Sequence, residues 1–523
     1  MPWCSGSDKG SRMAYHTALY LVLFLPAVCL LYQLAGVRFR PWVLLGGSLV
    51  FYWCVSGALV LYPLAAVLLI HDVGLWMEAA GKEKDERQRK KAFVWGLAVL
   101  LGILVWRKYG SFLAANGNRV WRLFSLEPPF SVVPALLPIG ISFYTLQAVG
   151  YLGDVWYKRI PAERNVGRLG LFLTFFPCIM EGPICRYGQT GHVLWEGRPI
   201  TWDNLTKGVQ RIFWGLAKKM IVADRLNILV QTVYGKDESY SGVVIGAAAC
   251  CYTIQLYMEF SGCMDMVAGS GEIFGICLPE NFCQPFFSKT VPEFWRRWHI
   301  TLGAWFKDYM FYPISMSPAL RGFGRRLSGK GRRRLARLGM SAGALFPVWL
   351  CNGLWHGPRW SFLFFGMYYF MLILLSIGAE PWVERWKAKY PVMGNHGVFA
   401  GVQIVRTWIL VVIGELFFRA EGLRQGIRMF CSMIRGWRFS QLWDKSLLEL
   451  GLDRMDFVVI GVMVGAVFLV SVLNERGRDV RQEIGRLPLP LRWGVYYGVL
   501  FGICVFGAYG EGYVPVDLIY ANF

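Results

Sequence analysis

The sequence predicts an all-α, polytopic integral membrane protein with roughly 10 to 12 transmembrane helices, plus re-entrant or interfacial helices. Three observations carry that prediction. First, 55% of the 523 residues are hydrophobic, 16% are aromatic and only 17% are charged, where a soluble domain carries about 25% charged residues. The mean hydropathy is +0.39. Second, long stretches contain no Asp, Glu, Lys or Arg at all. Third, 55 Lys and Arg stand against 34 Asp and Glu, and much of the resulting net charge of +21 is clumped in a few short segments.

About 20 apolar residues span a bilayer as a helix. Thr17–Gly36 is the first such run. Lys9 and Arg12 precede it as in a signal peptide, but it is as long as a full span and has no clear small-residue cleavage site, so it reads as retained. Pro41–Ile70 is long enough for one tilted helix and part of a second, and Ala92–Trp106 is a shorter candidate. Pro128–Gly153 and Ser239–Met258 follow. Leu338–Trp355, Trp360–Ala379, Val398–Phe418 (with Arg406 embedded), Phe457–Leu473 and Trp493–Gly510 complete the series. Two prolines and a glycine in Phe176–Arg186 predict a broken or re-entrant helix carrying Glu181 and Arg186.

The basic clusters lie at Lys82–Lys91, Arg321–Arg337, Arg385–Lys389 and Arg476–Arg492. The positive-inside rule assigns such loops to the cytoplasm. Pairs of spans separate the last three clusters, so one side of the membrane holds them all, and the loop Arg419–Asp456 faces the other. Charge this sparse and clumped reports orientation and excludes a nucleic-acid binder. Arg321–Arg337 serves either to meet anionic headgroups or to dock an acidic or phosphate-bearing cytosolic donor. The 13 cysteines contain no C-x-x-C pair, so no zinc-type metal site is expected.

Ionisable groups inside apolar surroundings are costly, and their positions point to function. Of six histidines, His16, His192 and His396 read as solvated and His71 as interfacial. His356 sits in Asn352-Gly-Leu-Trp-His-Gly-Pro358 between two apolar runs, where glycines and a proline break the helix. An imidazole there takes a proton at neutral pH or acts as a structural hydrogen-bonding group. His299 lies in the aromatic and charged stretch Val291–Pro313, which suits a helix at the interface or dipping into the bundle. Glu259 and Asp265 interrupt an apolar segment and need partners. His299 or the Arg296/Arg297 pair are candidates.

These motifs together resemble the membrane-bound O-acyltransferase (MBOAT) family. The stretch VPEFWRRWHITLGAWFKDYMFYPI, GLWHG around His356, FFP…EGPI at Phe175–Ile184 and the C-terminal LIYANF carry the resemblance over nearly the whole chain. The branch is similar to the bacterial alginate O-acetyltransferase-like members, with teichoic-acid D-alanyl transfer proteins as cousins. The resemblance implies one transmembrane domain over 1–523, with a catalytic core at about 128–380, accessory helices at about 398–523 and a central catalytic tunnel. It maps the family histidine onto His356 and the second histidine onto His299. The usual YxDFSG becomes Tyr257-Met-Glu-Phe-Ser-Gly262, with Glu259 in place of aspartate. Asn352, Glu259, Asp265, Trp298, Arg296 and Glu181 are the expected binding or supporting residues.

The implied reaction moves an acyl group, most simply acetyl, from a thioester to a hydroxyl. It needs a base for the hydroxyl proton and a donor to the developing oxyanion. His356 is the expected base. His299 could hold the donor, protonate the thiolate or orient His356. No cofactor is expected to be bound; the donor, acetyl-CoA or an acyl carrier protein, is a substrate. The implied setting is a bacterial cytoplasmic membrane, with an extracytoplasmic polysaccharide or acyl-accepting protein as partner. Two alternatives stand beside this reading. One is D-alanyl transfer to teichoic acid in the same fold. The other is a proton-coupled transporter or translocator relaying protons through His356 and Glu259, which predicts inverted repeats.

Overall fold

The computed structural model describes residues 13–125, 127–132, 136–390, 397–442 and 446–509. His396 and the LIYANF motif lie outside the described residues. Among those residues the protein is helical; extended pairing is confined to one isolated antiparallel bridge between Phe282 and Trp298. Seven helical stretches are long and apolar enough to cross a membrane: Arg40–Lys82, Glu86–Leu123, Gly242–Ile273, Trp360–Lys389, Gly397–Arg419, Arg454–Glu475 and Leu489–Phe506. The shorter apolar helix Leu19–Leu34 precedes them. This is the all-α polytopic architecture expected.

Pro41–Ile70 forms one helix, Arg40–Ser56, and part of a second, Leu61–Lys82, as expected, with Gly57 at a positive φ of 57° between them. The next run takes a different form. Pro128–Gly153 yields only the 16-residue helix Ile141–Trp156, and every residue from Ile141 to Val155 is buried. An apolar surface on all sides is what a helix enclosed by protein requires, as much as one in lipid. Leu338–Trp355 forms most of the helix Arg333–His356, whose first turn is the end of a basic cluster.

The chain divides into two compact units. The first comprises 1–216, 262–279 and 514–523, and the second 217–261 and 280–513. The helix Gly242–Ile273 therefore contributes to both, and its most apolar window is 67% buried, against 6% for Leu489–Phe506. The first is a core helix, while the second has almost its whole surface left for lipid.

In the first unit, the broken helix expected at Phe176–Arg186 is present. The helix Val166–Thr174 stops at Phe175, a single turn Phe176–Ile179 follows, and the chain then runs irregularly to Tyr187. Its backbone is held from outside. The Tyr15 hydroxyl donates to the Phe176 carbonyl at 2.9 Å, and the Phe176 N–H donates to Ser48 Oγ at 3.0 Å. Gly140 passes so close that a Cβ there would lie 1.8 Å from the Ile179 carbonyl oxygen, and its φ is 72°. Only glycine fits.

In the second unit, Arg333–His356 and Trp360–Lys389 form a tight helical hairpin. A Cβ on Gly353 would meet the Phe362 carbonyl oxygen at 2.5 Å, and one on Gly366 the Trp349 carbonyl oxygen at 2.3 Å. Glycine on both helices lets the backbones approach, as in membrane helix pairs generally. Further along, Arg428 makes two hydrogen bonds to Asp237 at 2.7 and 2.9 Å. Burial alone would raise the Asp237 carboxyl; the bonds from Arg428 and Gln425 outweigh it and hold the group below the usual carboxylate range.

Candidate functional site

The sequence around His299 cannot continue one helix. Thr290 caps the turn Val291–Arg297 through its side chain, accepting from the Glu293 N–H at 3.2 Å, with Pro292 in the first turn. The turn ends at Trp298, whose extended backbone pairs with Phe282. His299 then adopts a left-handed conformation, φ 49° and ψ 50°, before the helix Ile300–Phe306 begins. Such a backbone costs a side-chain-bearing residue about 1–3 kcal/mol and persists where its surroundings over-determine it. Asn281 supplies that constraint. Its carbonyl accepts from the Ile300 N–H at 3.0 Å, and its side-chain oxygen accepts from the Thr301 N–H at 3.1 Å and hydroxyl at 2.7 Å. The expected interfacial helix is thus a kinked pair that turns His299 inward, 2% exposed.

His356 ends the helix Arg333–His356, where Gly357 (φ 148°) and Pro358 stop it. The ring is 3% exposed. It lies 4.9 Å from Phe418, 5.6 Å from Phe365 and 6.2 Å from Phe362, centroid to centroid. Trp355 joins the two histidines, with its ring 4.9 Å from His356 and 5.4 Å from His299. Phe260 closes the far side of His299 at 4.8 Å. Two imidazoles from distant segments therefore share one aromatic wall. Asn352 lies one turn before His356, on the same helix face. It is 7% exposed, and its side-chain oxygen has no hydrogen-bond partner among the described residues. Buried acceptors of that kind are rare and call for a functional reason.

The segment Tyr257–Gly262 builds the support. Tyr257 packs on Phe282 at 5.7 Å and Phe286 at 5.1 Å, and Phe260 faces His299. Ser261 accepts from Lys218 Nζ at 3.0 Å. Glu259, 1% exposed, forms an ion pair with Lys219 Nζ at 3.7 Å, and Lys219 also holds Asp224. The candidates named for Glu259 were His299 and the Arg296/Arg297 pair; Lys219 is the residue that sequence reasoning passed over. Both lysines sit on a π-helical turn, Lys218–Ala223, a form that recurs at functional sites.

The other expected residues are spread more widely. Trp298 is 3% exposed and packs against Phe282 and Phe294 at 5.0 and 5.4 Å, which makes it a brace behind His299. Arg296 is exposed, while Arg297 pairs with Glu293 and Glu475. Asp265 belongs to the first unit and pairs with Arg211 at 3.1 Å, which also holds Glu272. Glu181, fully buried in the first unit, accepts on its backbone carbonyl from Cys263 Sγ at 3.8 Å.

Sequence reasoning missed a buried carboxylate. Glu415, 2% exposed, lies on Gly397–Arg419 one turn before Phe418, the residue that touches His356. The Tyr369 hydroxyl packs so close to Gly414 that a Cβ there would be 2.4 Å away. Tyr369 in turn backs Trp295 at 4.7 Å. A lone glutamate in an apolar run was the available signal.

Residues 169–328 match the model of the MBOAT, membrane-bound O-acyltransferase, family. The chain is 34% identical to a probable alginate O-acetylase AlgI of Pseudomonas putida, over 82% of this chain and 82% of that protein. It is 25% identical to a peptidoglycan O-acetyltransferase of Helicobacter pylori, over 80% of this chain and 73% of that protein. It is 26% identical to a teichoic acid D-alanyltransferase of Bacillus subtilis, over 76% of this chain and 95% of that protein.

Proposed function

The chain belongs to the membrane-bound O-acyltransferase family, and from that premise we propose that this acyltransferase moves an acetyl group from a cytosolic thioester to an extracytoplasmic acceptor. The acceptor is a polysaccharide hydroxyl or a protein that passes the acetyl group on. The relatives at 32–34% identity are named as alginate O-acetylases, which favours acetyl over D-alanine as the acyl group. D-alanyl transfer is the second reading, because the Bacillus subtilis relative is matched over 95% of its length.

The observation that carries the mechanism is the buried pair His356 and His299, both packed against Trp355. His356 takes the proton of the acceptor hydroxyl as its oxygen attacks the thioester carbonyl carbon. A new C–O bond forms and the carbonyl oxygen becomes an oxyanion. As that intermediate collapses, the C–S bond breaks and the imidazolium returns the proton to the thiolate. Asn352, one turn away, supplies a polar contact to the reacting hydroxyl or carbonyl. His299 is a positioning residue that acts through Trp355. A base in this role contributes about 10²- to 10⁴-fold.

The helix that carries His356 supports this direction. Its 24 residues extend about 36 Å between the basic Arg333 turn and His356. With the clusters at 82–91, 321–337, 385–389 and 476–492 in the cytoplasm of a bacterial cell, His356 stands toward the acceptor's side. The donor, acetyl-CoA or an acyl carrier protein, enters from the basic side, and neither requires a bound cofactor.

The acyl group is tested by mild alkaline release from the surface polymers of cells with and without the protein. Acetate released only with the protein supports this reading. D-alanine in its place would move the assignment to the second reading, and no change in either would overturn both.

A further inference from the structure

In the first unit, helices from four parts of the chain meet around Arg107. Tyr52 lies on Arg40–Ser56, Tyr62 on Leu61–Lys82, Arg107 on Glu86–Leu123 and Tyr144 on Ile141–Trp156. The Tyr144 hydroxyl stands within electrostatic reach of Tyr52, Tyr62 and Arg107. Tyr144 is 3% exposed, and its hydroxyl has no hydrogen-bond partner among the described residues. Arg107 Nε is likewise buried without a partner among them. The guanidinium lies over the Tyr62 ring, 5.5 Å from its centroid, and donates through Nη2 to the Leu136 carbonyl. No carboxylate pairs with it among the described residues. Tyr52 is already engaged, donating to the Ile139 carbonyl at 2.8 Å. Lys108, beside Arg107 in the chain, is buried and donates to Ser142 Oγ at 2.7 Å.

Two of these helices measure how deep the group lies. From Tyr62 to Lys82, and again from Glu86 to Arg107, the rise is about 30 Å. That is about the thickness of the hydrocarbon core. With the basic loop 82–91 at one surface, Arg107 therefore stands at the other, level with the headgroup phosphates. The positive-inside rule gives no reason for adjacent Arg107 and Lys108 at that end. An arginine that merely snorkels keeps its head in water. Here the guanidinium is half-buried, laid on a tyrosine face, with its Nε and a neighbouring hydroxyl shut away from solvent. Leu61, Val105 and Trp106 are exposed beside it, an apolar surface that suits acyl chains, with the tryptophan at the interface. A cation with hydroxyl donors and no acidic partner calls for an oxyanion, and a guanidinium fork meets phosphate with two parallel bonds.

We propose that Arg107, with the hydroxyls of Tyr62 and Tyr144, binds the phosphate of a phospholipid in the leaflet remote from the 82–91 loop. This binding is independent of the transfer reading above. The test uses the full-length protein, delipidated in an uncharged detergent, and reads binding from the rise in its thermal unfolding temperature. Three probes are titrated: dioctanoyl phosphatidylglycerol, dioctanoylglycerol with the same chains and no phosphate, and inorganic phosphate. The phospholipid should bind at least about tenfold more tightly than either of the others. Arg107→Gln should weaken it at least about tenfold, and Tyr144→Phe about threefold or more. Tyr144→Phe removes a hydroxyl that has no partner among the described residues, so without lipid it should unfold as the unaltered protein does. Arg122→Gln, at an exposed arginine farther along the same helix, should bind the phospholipid normally. Equal binding of dioctanoylglycerol would overturn the proposal, as would inorganic phosphate bound as tightly as the phospholipid, which marks a free-anion site. So would an unaffected Arg107→Gln, or an equal loss in Arg122→Gln.

Discussion

Lys219 has no exposed surface and stands between Asp224 and Glu259. Removing one partner of a buried ion pair leaves an uncompensated charge, at a cost of about 3–5 kcal/mol. Lys219→Met should therefore lower the thermal unfolding temperature of the purified protein markedly. Adding Glu259→Gln should recover part of the loss. An unchanged unfolding temperature in the single variant would contradict the pairing. In the sequence His356 stands out as an imidazole beside helix breakers and His299 as one within an aromatic and charged stretch, neither needing reference to a partner. Lys219 was equally visible as a charge among apolar residues, but its partner Glu259 lies 40 positions along the chain, and only folding shows which of several charges it meets. Glu415 shares its apolar run with Arg406, and nothing local separates a buried carboxylate there from an exposed charge.

Helices place these residues, and the hairpin of Arg333–His356 with Trp360–Lys389 is the sharpest case. Gly366 touches the backbone of the facing helix, so any side chain there must push the two apart. Gly366→Ala should shift His356 and lower acyl transfer by about tenfold to a hundredfold, since misplacement by about 1 Å can cost that much. Transfer rates in membranes, normalised to protein amount, measure this; an unchanged rate would show that the close approach is not needed. Most apolar runs announced their helices, and the breaker residues announced the irregular segment after Phe176. What charge-free runs could not reveal is what surrounds them. Ile141–Trp156 is buried in protein on every face, yet it reads as a lipid span because lipid and protein interior ask for the same side chains. The left-handed turn at His299 depends on Asn281, about twenty residues earlier, and no local pattern marks it.

At the scale of the molecule, the basic clusters define a sidedness that can be measured. In a cysteine-free background, Ser328→Cys lies in the basic segment and Ser440→Cys in the loop beyond Arg419, both exposed. A membrane-impermeant maleimide should label Ser440→Cys on intact cells and Ser328→Cys only after permeabilisation. Labelling of both, or the reverse, would invert the direction of transfer. Labelling of the expected pattern would tie most of the +21 charge to the orientation of the chain. Centrally, the account holds that His356 is the base for acyl transfer. The most direct measurement compares ester-linked acetyl on surface polymer between cells carrying the unaltered protein and His356→Ala at equal membrane levels. The account predicts a loss of at least about a hundredfold, with the protein still folded. Acetylation equal to that of the unaltered protein would contradict it.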